Sequence, residues 1–198
     1  MEKKTTNFML VGVGGQGTLL ASNILADLGV RLGFDVKKAE VHGMSQRGGS
    51  VVSHLRWGEQ VFAPIVSKGE VDILLAFEEL EAGRYVDYLR PGGLLVVNEF
   101  VMKPVTVTNG KEAYPEKEKL AGLFAKATDQ VYWVKGIEIA EQLGNPRVAN
   151  VALLGALSAI MDIAVEEFEA VLEQRLPEKI LEINKKALRA GREAPVLS

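Results

Sequence analysis

Two glycine-rich segments carry most of the residues in this sequence whose types and spacing suit chemistry. The first is Gly12-Val13-Gly14-Gly15-Gln16-Gly17, a G-x-G-x-x-G run. Glycines there let the backbone turn tightly and approach a ligand. A helix opening behind them would offer free N–H groups and a partial positive charge to a phosphate or carboxylate. A dinucleotide-binding turn also wants an acid at the end of the next strand. Glu40 fits that place loosely, and Lys37 and Lys38 before it would suit a ribose phosphate instead. The same glycines serve a tight strand-to-helix turn packed against a neighbour, because glycine alone establishes only close backbone approach.

The second segment is His42-Gly43-Met44-Ser45-Gln46-Arg47-Gly48-Gly49-Ser50. Arg47 can clamp a carboxylate or phosphate with two parallel hydrogen bonds, and Ser45, Gln46 and Ser50 add neutral ones. A polar surface loop is the alternative. His42 reads as a hydrogen-bonded loop histidine, and His54, within an alternating run, as a structural one. A third group, Glu78-Glu79-Leu80-Glu81, clusters carboxylates that can bind a metal. They fall at a predicted strand-to-helix junction, where the helix dipole favours acids without any metal. Glu78, at the end of its strand, is the member best placed for function. No complete catalytic constellation is visible, and no residue is assigned to catalysis or to a metal.

Composition narrows the classes. The chain has 198 residues, 47% apolar and 25% charged, with a net charge of −3. That is ordinary globular usage for one domain. No basic block supports nucleic-acid binding. There is no Cys, which removes disulfides, thiol nucleophiles and Cys-ligated metal or iron–sulfur sites from this chain. The apolar run at residues 151–161 is shorter than the roughly 20 residues that span a bilayer. The first four residues lead into strand-like sequence without a signal-peptide core. The expectation is a soluble, cytoplasmic protein.

The elements that must hold these groups follow from periodicity. Residues 8–13 read as a buried strand and residues 16–32 as a helix with Leu20, Ala21, Ile24, Leu25, Leu28 and Leu32 on one face. Gly33 ends that helix, and residues 35–41 form a second strand, opening a parallel, doubly wound sheet. Residues 50–56 alternate as a strand, with a turn at 57–60 and residues 61–65 returning as the second arm of a hairpin, an edge strand because of Pro64. Strands at 71–77, 94–98 and 131–134, a turn at 90–93 and helices at 79–88, 112–127 and 136–143 follow. Asn145-Pro146 caps a long apolar helix running to Met161, and helices at 165–175 and 178–190 close the chain. The long apolar helix is expected to be buried on several sides, in part against another chain. The fold class is α/β: a Rossmann-like three-layer domain with a mostly parallel sheet, a β-hairpin insertion and a helical C-terminal region. A single domain is expected, with the α/β core over about 1–135 and helices over 136–198 packing on it or on a partner.

Taken together, GVGGQGTLLASNILA (residues 12–26) and AEVHGMSQRGGSVVSHLRWG (39–58) resemble the gamma-type chain of the 2-oxoacid:ferredoxin oxidoreductases. VDILLAFEELEAGRYVDYLRPGGLLVVN (71–98) and NPRVANVALLGAL (145–157) continue the pattern in order. The EVHGMSQRGG segment most resembles the beta subunit of the indolepyruvate branch.

The resemblance implies a reaction that this chain does not perform alone: oxidative decarboxylation of a 2-oxoacid with coenzyme A, yielding an acyl-CoA, carbon dioxide and reduced ferredoxin. For the indolepyruvate branch the substrates are arylpyruvates. Thiamine diphosphate and the iron–sulfur clusters are implied in a larger alpha subunit, with no cofactor on this chain and ferredoxin reached through the complex. Gly12, Gly14, Gly15, Gln16 and Gly17, together with Ser45, Gln46, Arg47, Gly48, Gly49 and Ser50, are then expected to face that subunit and its substrate and coenzyme A cleft, with Arg47 as the main anion contact. A hetero-oligomer is implied, with a homodimer the alternative in isolation; neither nucleic acid nor membrane is a partner. Two other readings stay open: a free-standing dinucleotide-binding oxidoreductase, and a scaffold or regulatory subunit without substrate contact.

Overall fold

The structure, a computed structural model, describes residues 5–42 and 49–197. Its first strand, β1 (Thr6–Val13), is buried on both faces because its side chains alternate between two cores. Phe8 and Leu10 point into one core, and Met9 and Val11 into the other. Helix α1 (Thr18–Arg31) lays Ala21, Ile24, Leu25 and Leu28 on the first core. It stops in a Schellman turn: Gly33 has φ 79°, and the Phe34 N–H donates back to the Gly29 carbonyl.

Strand β2 (Asp35–His42) runs parallel to β1 but does not touch it. Strand β3 (Ser50–Gly58) lies between them, antiparallel to both, pairing Val11 with Val52 and Val41 with Val52 across its two edges. The hairpin is therefore β2–β3. The expected second arm at 61–65 is not a strand. Pro64 lacks an N–H, the Val61 N–H donates to the Asp35 carboxylate, and the Ala63 carbonyl accepts from Arg56. Side chains thus take the hydrogen bonds a ladder would have used.

The sheet continues on the other side of β1 with β4 (Val71–Ala76), β5 (Leu89–Asn98) and β6 (Val131–Val134), all parallel. A two-residue β7 (Val196–Leu197) caps the far edge antiparallel to β6. The order is β2-β3-β1-β4-β5-β6-β7. The turn expected at 90–93 is absorbed into β5: Val71 pairs with Leu89 but Ile73 with Leu94, so the extra residues bulge.

On one face lie α2 (Glu79–Tyr85), which tightens into a 3₁₀ turn at Val86–Tyr88, and α4 (Lys117–Ala127), while the short α3 (Val105–Thr108), which the sequence did not reveal, adds no residue to either core. Helix α4 begins five residues later than its polar pattern suggests, with Pro115 just ahead of its start. The opposite face holds α1, α5 (Gly136–Gln142), α6 (Ala149–Ile160), α7 (Val165–Arg175) and α8 (Glu178–Arg192). As expected, Asn145 caps the approach to α6, its side chain accepting from the Arg147 N–H at 3.1 Å.

Helix α6 is buried from Ala149 to Ser158 within this chain alone, without help from another. Two glycines allow it. A Cβ on Gly155 would fall 1.9 Å from the Leu188 carbonyl oxygen of α8, and one on Gly191 would fall 1.9 Å from that of Ala152. The α6 and α8 backbones therefore touch. Among the described residues no helix is long and apolar enough to cross a membrane.

Candidate functional site

Because β1, β2, β4, β5 and β6 all point one way, their carboxyl ends line one edge of the sheet, where open α/β sheets bind ligands. The turn from β1 to α1 is fastened there by one side chain. The Oε1 of Gln16 accepts the Val13 N–H at 2.7 Å, and its Nε2 donates to the Phe77 carbonyl at 3.1 Å. Gln16 thus ties β1 to β4 and holds the turn. Gly14 donates its N–H to the Gly49 carbonyl at 2.9 Å, which brings the two glycine motifs together. Gly15 is exposed with φ 106° and nothing within 4 Å of a Cβ position. Gly17 caps α1 in the left-handed region at φ 79° with no capping side chain.

The glycines have separate tasks. At Gly12 a Cβ would meet Thr18 Oγ1 at 2.8 Å and Gln16 Oε1 at 2.9 Å. At Gly17 it would lie 2.3 Å from Asn150 Nδ2, and that same nitrogen donates to the Gly17 carbonyl. Gly12 and Gly17 serve packing, and Gly15 turns to open space. Gly17→Ala is expected to cost about 1–2 kcal/mol more than Gly15→Ala, since it adds a clash to the backbone strain both carry. Denaturant midpoints of the two variants would measure the difference; equal losses would count against this division.

Of the second motif, Gly49 and Ser50 lie in the described part; Ser45, Gln46, Arg47 and Gly48 lie outside the described residues, and of His42 only the backbone, closing β2, is described. Ser50 Oγ donates to the Glu81 carboxylate at 2.6 Å and lies 3.2 Å from the Tyr85 hydroxyl. Arg84 pairs with the other Glu81 oxygen. Burial holds the Glu81 carboxyl above its usual range, with Ser50 and Arg84 opposing.

Glu78 is 1% exposed and fully engaged. It caps α2 by accepting the Glu81 N–H at 2.9 Å, and it accepts the Met102 N–H at 3.0 Å and the Tyr114 hydroxyl at 2.5 Å. Burial, then the Glu78 carboxylate, raise the Tyr114 pKa and keep its hydroxyl a donor. Glu78 is a strut joining three segments. Among the described residues no group of acids and histidines is placed to hold a metal.

Glu79 is buried, and its carboxylate accepts no hydrogen bond among the described residues. Burial raises its pKa, with Lys117 opposing and the charges of Glu78 and Glu99 adding. The folded protein keeps this proton to higher pH than the unfolded chain does. The stability it brings is full below the ordinary carboxylate value and is lost as pH rises through the folded value. Glu79→Gln is neutral at every pH. It should therefore be more stable than the parent at pH 8 and close to it at pH 4. Thermal melts at both would decide, and a variant less stable at pH 8 would contradict the assignment.

His54 is structural: buried in β3, its Nδ1 accepts the Val66 N–H at 3.3 Å, and burial lowers its pKa. Lys37 pairs with Asp35 and Lys38 with Glu40, so both lysines and that acid are partnered within the chain.

The sequence did not point to the residues that complete the edge. Asn98 ends β5 with its Oδ1 accepting the Gly136 N–H and its Nδ2 donating to the Phe77 carbonyl. Asn150 reaches the glycine turn from α6. Between them lies a half-open cavity of about 440 Å³, lined by Gly15, Gln16 and Gly17, by Leu20, Phe77, Phe100, Met102, Ile137 and Leu153, and by Arg147. A polar residue closing the apolar run LLVVN and a lone amide in an apolar helix were the available signals.

A doubly wound α/β domain with a glycine turn and a cavity at the carboxyl edge of its sheet defines a broad class. The sequence narrows it: residues 7–194 match the family described as pyruvate ferredoxin/flavodoxin oxidoreductase. The chain belongs to this family, as a gamma-type small subunit of a 2-oxoacid:ferredoxin oxidoreductase. Among its relatives, the indolepyruvate oxidoreductase subunit IorB of Archaeoglobus fulgidus is 40% identical, over 93% of this chain and 92% of that one. Its counterpart from Thermococcus kodakarensis is 37% identical over 95% of each. The fold matches pyruvate oxidoreductase subunit PORC of Thermotoga maritima with a TM-score of 0.72, at 24% identity and 98% coverage of both chains.

Proposed function

We propose that this chain is the small subunit of an oxidoreductase that converts arylpyruvates, indolepyruvate among them, to aryl-acetyl-CoA. The carbon–carbon bond to the carboxylate breaks and releases carbon dioxide, the acyl carbon bonds to the coenzyme A sulfur, and two electrons pass to ferredoxin one at a time. A thiamine cofactor and iron–sulfur clusters supply the decarboxylation and electron transfer when bound. With no Cys, this chain offers no thiolate for a cluster, and those groups are assigned to the larger subunit.

What this chain contributes is a face. The observation that carries the reading is the Gly14–Gly49 hydrogen bond, which joins both glycine motifs into one surface beside the open Gly15. That surface is assigned to the substrate and coenzyme A cleft of the larger subunit, and the same role is proposed for Arg47 and its neighbours, which lie outside the described residues. The identity to IorB chains along nearly the whole length supports the arylpyruvate substrate.

Co-expression with the larger subunit tests it. Arylpyruvate- and coenzyme A-dependent reduction of a viologen dye is expected from the co-purified complex and from neither chain alone. A lone chain that binds NAD or flavin and never associates would return the assignment to a free-standing dinucleotide-binding protein.

A further inference from the structure

The cavity at the carboxyl edge has a composition that selects its occupant. Its walls are mostly apolar, from Leu20, Phe77, Phe100 and Met102 across to Ile137 and Leu153. Each amide that reaches it already holds part of the fold. Gln16 bridges Val13 and Phe77, Asn98 bridges Gly136 and Phe77, and Asn150 holds the Gly17 carbonyl. Among the described residues no carboxylate lines the cavity. Among the described residues its one charge is Arg147, exposed on the turn before α6, and its guanidinium makes no ion pair or hydrogen bond with any of them. A ribose or a purine would set most of its several polar groups against apolar walls here. An unsubstituted aromatic ring would not, and a short anionic group beside it would meet Arg147.

We propose that this cavity binds the ring of an aryl-substituted 2-oxoacid, with Arg147 on its carboxylate; the proposal rests on the arylpyruvate reading above. The ring enters between α1 and α6, and the oxoacid end stays at the mouth. The keto carbon is then left facing outward, as it must be if the reacting groups belong to another chain. The cavity is thus a specificity site for the substrate side chain, contributed by the small subunit.

The test is a titration of the full chain with phenylpyruvate, followed by calorimetry or ligand-observed NMR, with pyruvate and AMP as the ringless and nucleotide controls. Saturable phenylpyruvate binding is expected, with pyruvate and AMP at least tenfold weaker. Arg147→Leu should weaken phenylpyruvate about tenfold, the worth of one charge-assisted hydrogen bond, and Arg147→Lys should restore most of it. Met102→Trp, at a partly exposed loop position, should fill the cavity and abolish binding without changing the melting temperature. No saturable binding, indifference to both substitutions, or AMP binding as tightly would overturn the proposal. Arylpyruvate oxidation by the assembled enzyme without binding here would overturn this site and leave the function standing. Binding here with an assembled enzyme inactive on arylpyruvates would do the reverse.

Discussion

Gly155→Ala is expected to destabilise the protein by about 3 kcal/mol or more, lowering the melting temperature by roughly 6–12 °C. The added methyl would sit 1.9 Å from the Leu188 carbonyl oxygen and 2.9 Å from the Arg192 nitrogen. Both are backbone atoms of α8, so no side chain can swing away and the helices must part. Parting them disturbs Leu153, Leu154, Leu157, Ala187 and Leu188, all fully buried. The gain in helix propensity from glycine to alanine, about 1 kcal/mol, offsets only part of this. Gly122→Ala is the contrast: in exposed α4, with nothing within 4 Å of its Cβ position, the same change is expected to stabilise by about 0.5–1 kcal/mol. Denaturant titration of both gives the two signs. A loss below about 1 kcal/mol at Gly155 would mean that the two helices slide apart easily.

Glu78→Leu is the second large effect, at about 3–5 kcal/mol. The substitution leaves the N–H groups of Glu81 and Met102 and the Tyr114 hydroxyl without their acceptor, and removes the α2 cap. Tyr114→Phe removes one of those donors with its hydroxyl and should cost about 1–2 kcal/mol. In the double variant the two losses should fall short of their sum, because they share one bond. Additive losses would separate Tyr114 from Glu78.

Residues buried on both faces were the most legible. The apolar runs of β1 and β4 read as buried strands and those of β5 and β6 as strands, and Gly33 and Asn145-Pro146 ended and opened helices by local chemistry alone. The apolar segment at 61–65 misled because its partners are the side chains of Asp35 and Arg56. The four-residue α3 reads Val-Thr-Val-Thr, a β-prone pattern, and closes on the Pro104 carbonyl instead. At the edge of the sheet, the glycine turn was legible as a turn but not in its division of labour. Which glycine packs and which faces space depends on Asn150, more than a hundred residues away in sequence. The cavity beside it, built from several elements, left no local pattern to read.

The placement of β3 between β1 and β2 also orders assembly. Helix α1 carries the chain past an empty slot, and β2 has no neighbour until β3 turns back beside it. A hairpin between strands close in sequence closes cheaply, whereas docking its inner arm, β3, on β1 spans a longer stretch of chain. β2 and β3 should therefore arrive as a preformed pair and zip onto β1 from Thr6–Trp57 to Val13–Ser50 or the reverse. The Gly14–Gly49 bond lies just beyond the last of these pairs, so the glycine surface exists only once the pair has docked. In a chain whose hairpin has not docked, that surface is missing, so a partner that binds it, as proposed above, would meet it only on correctly folded copies.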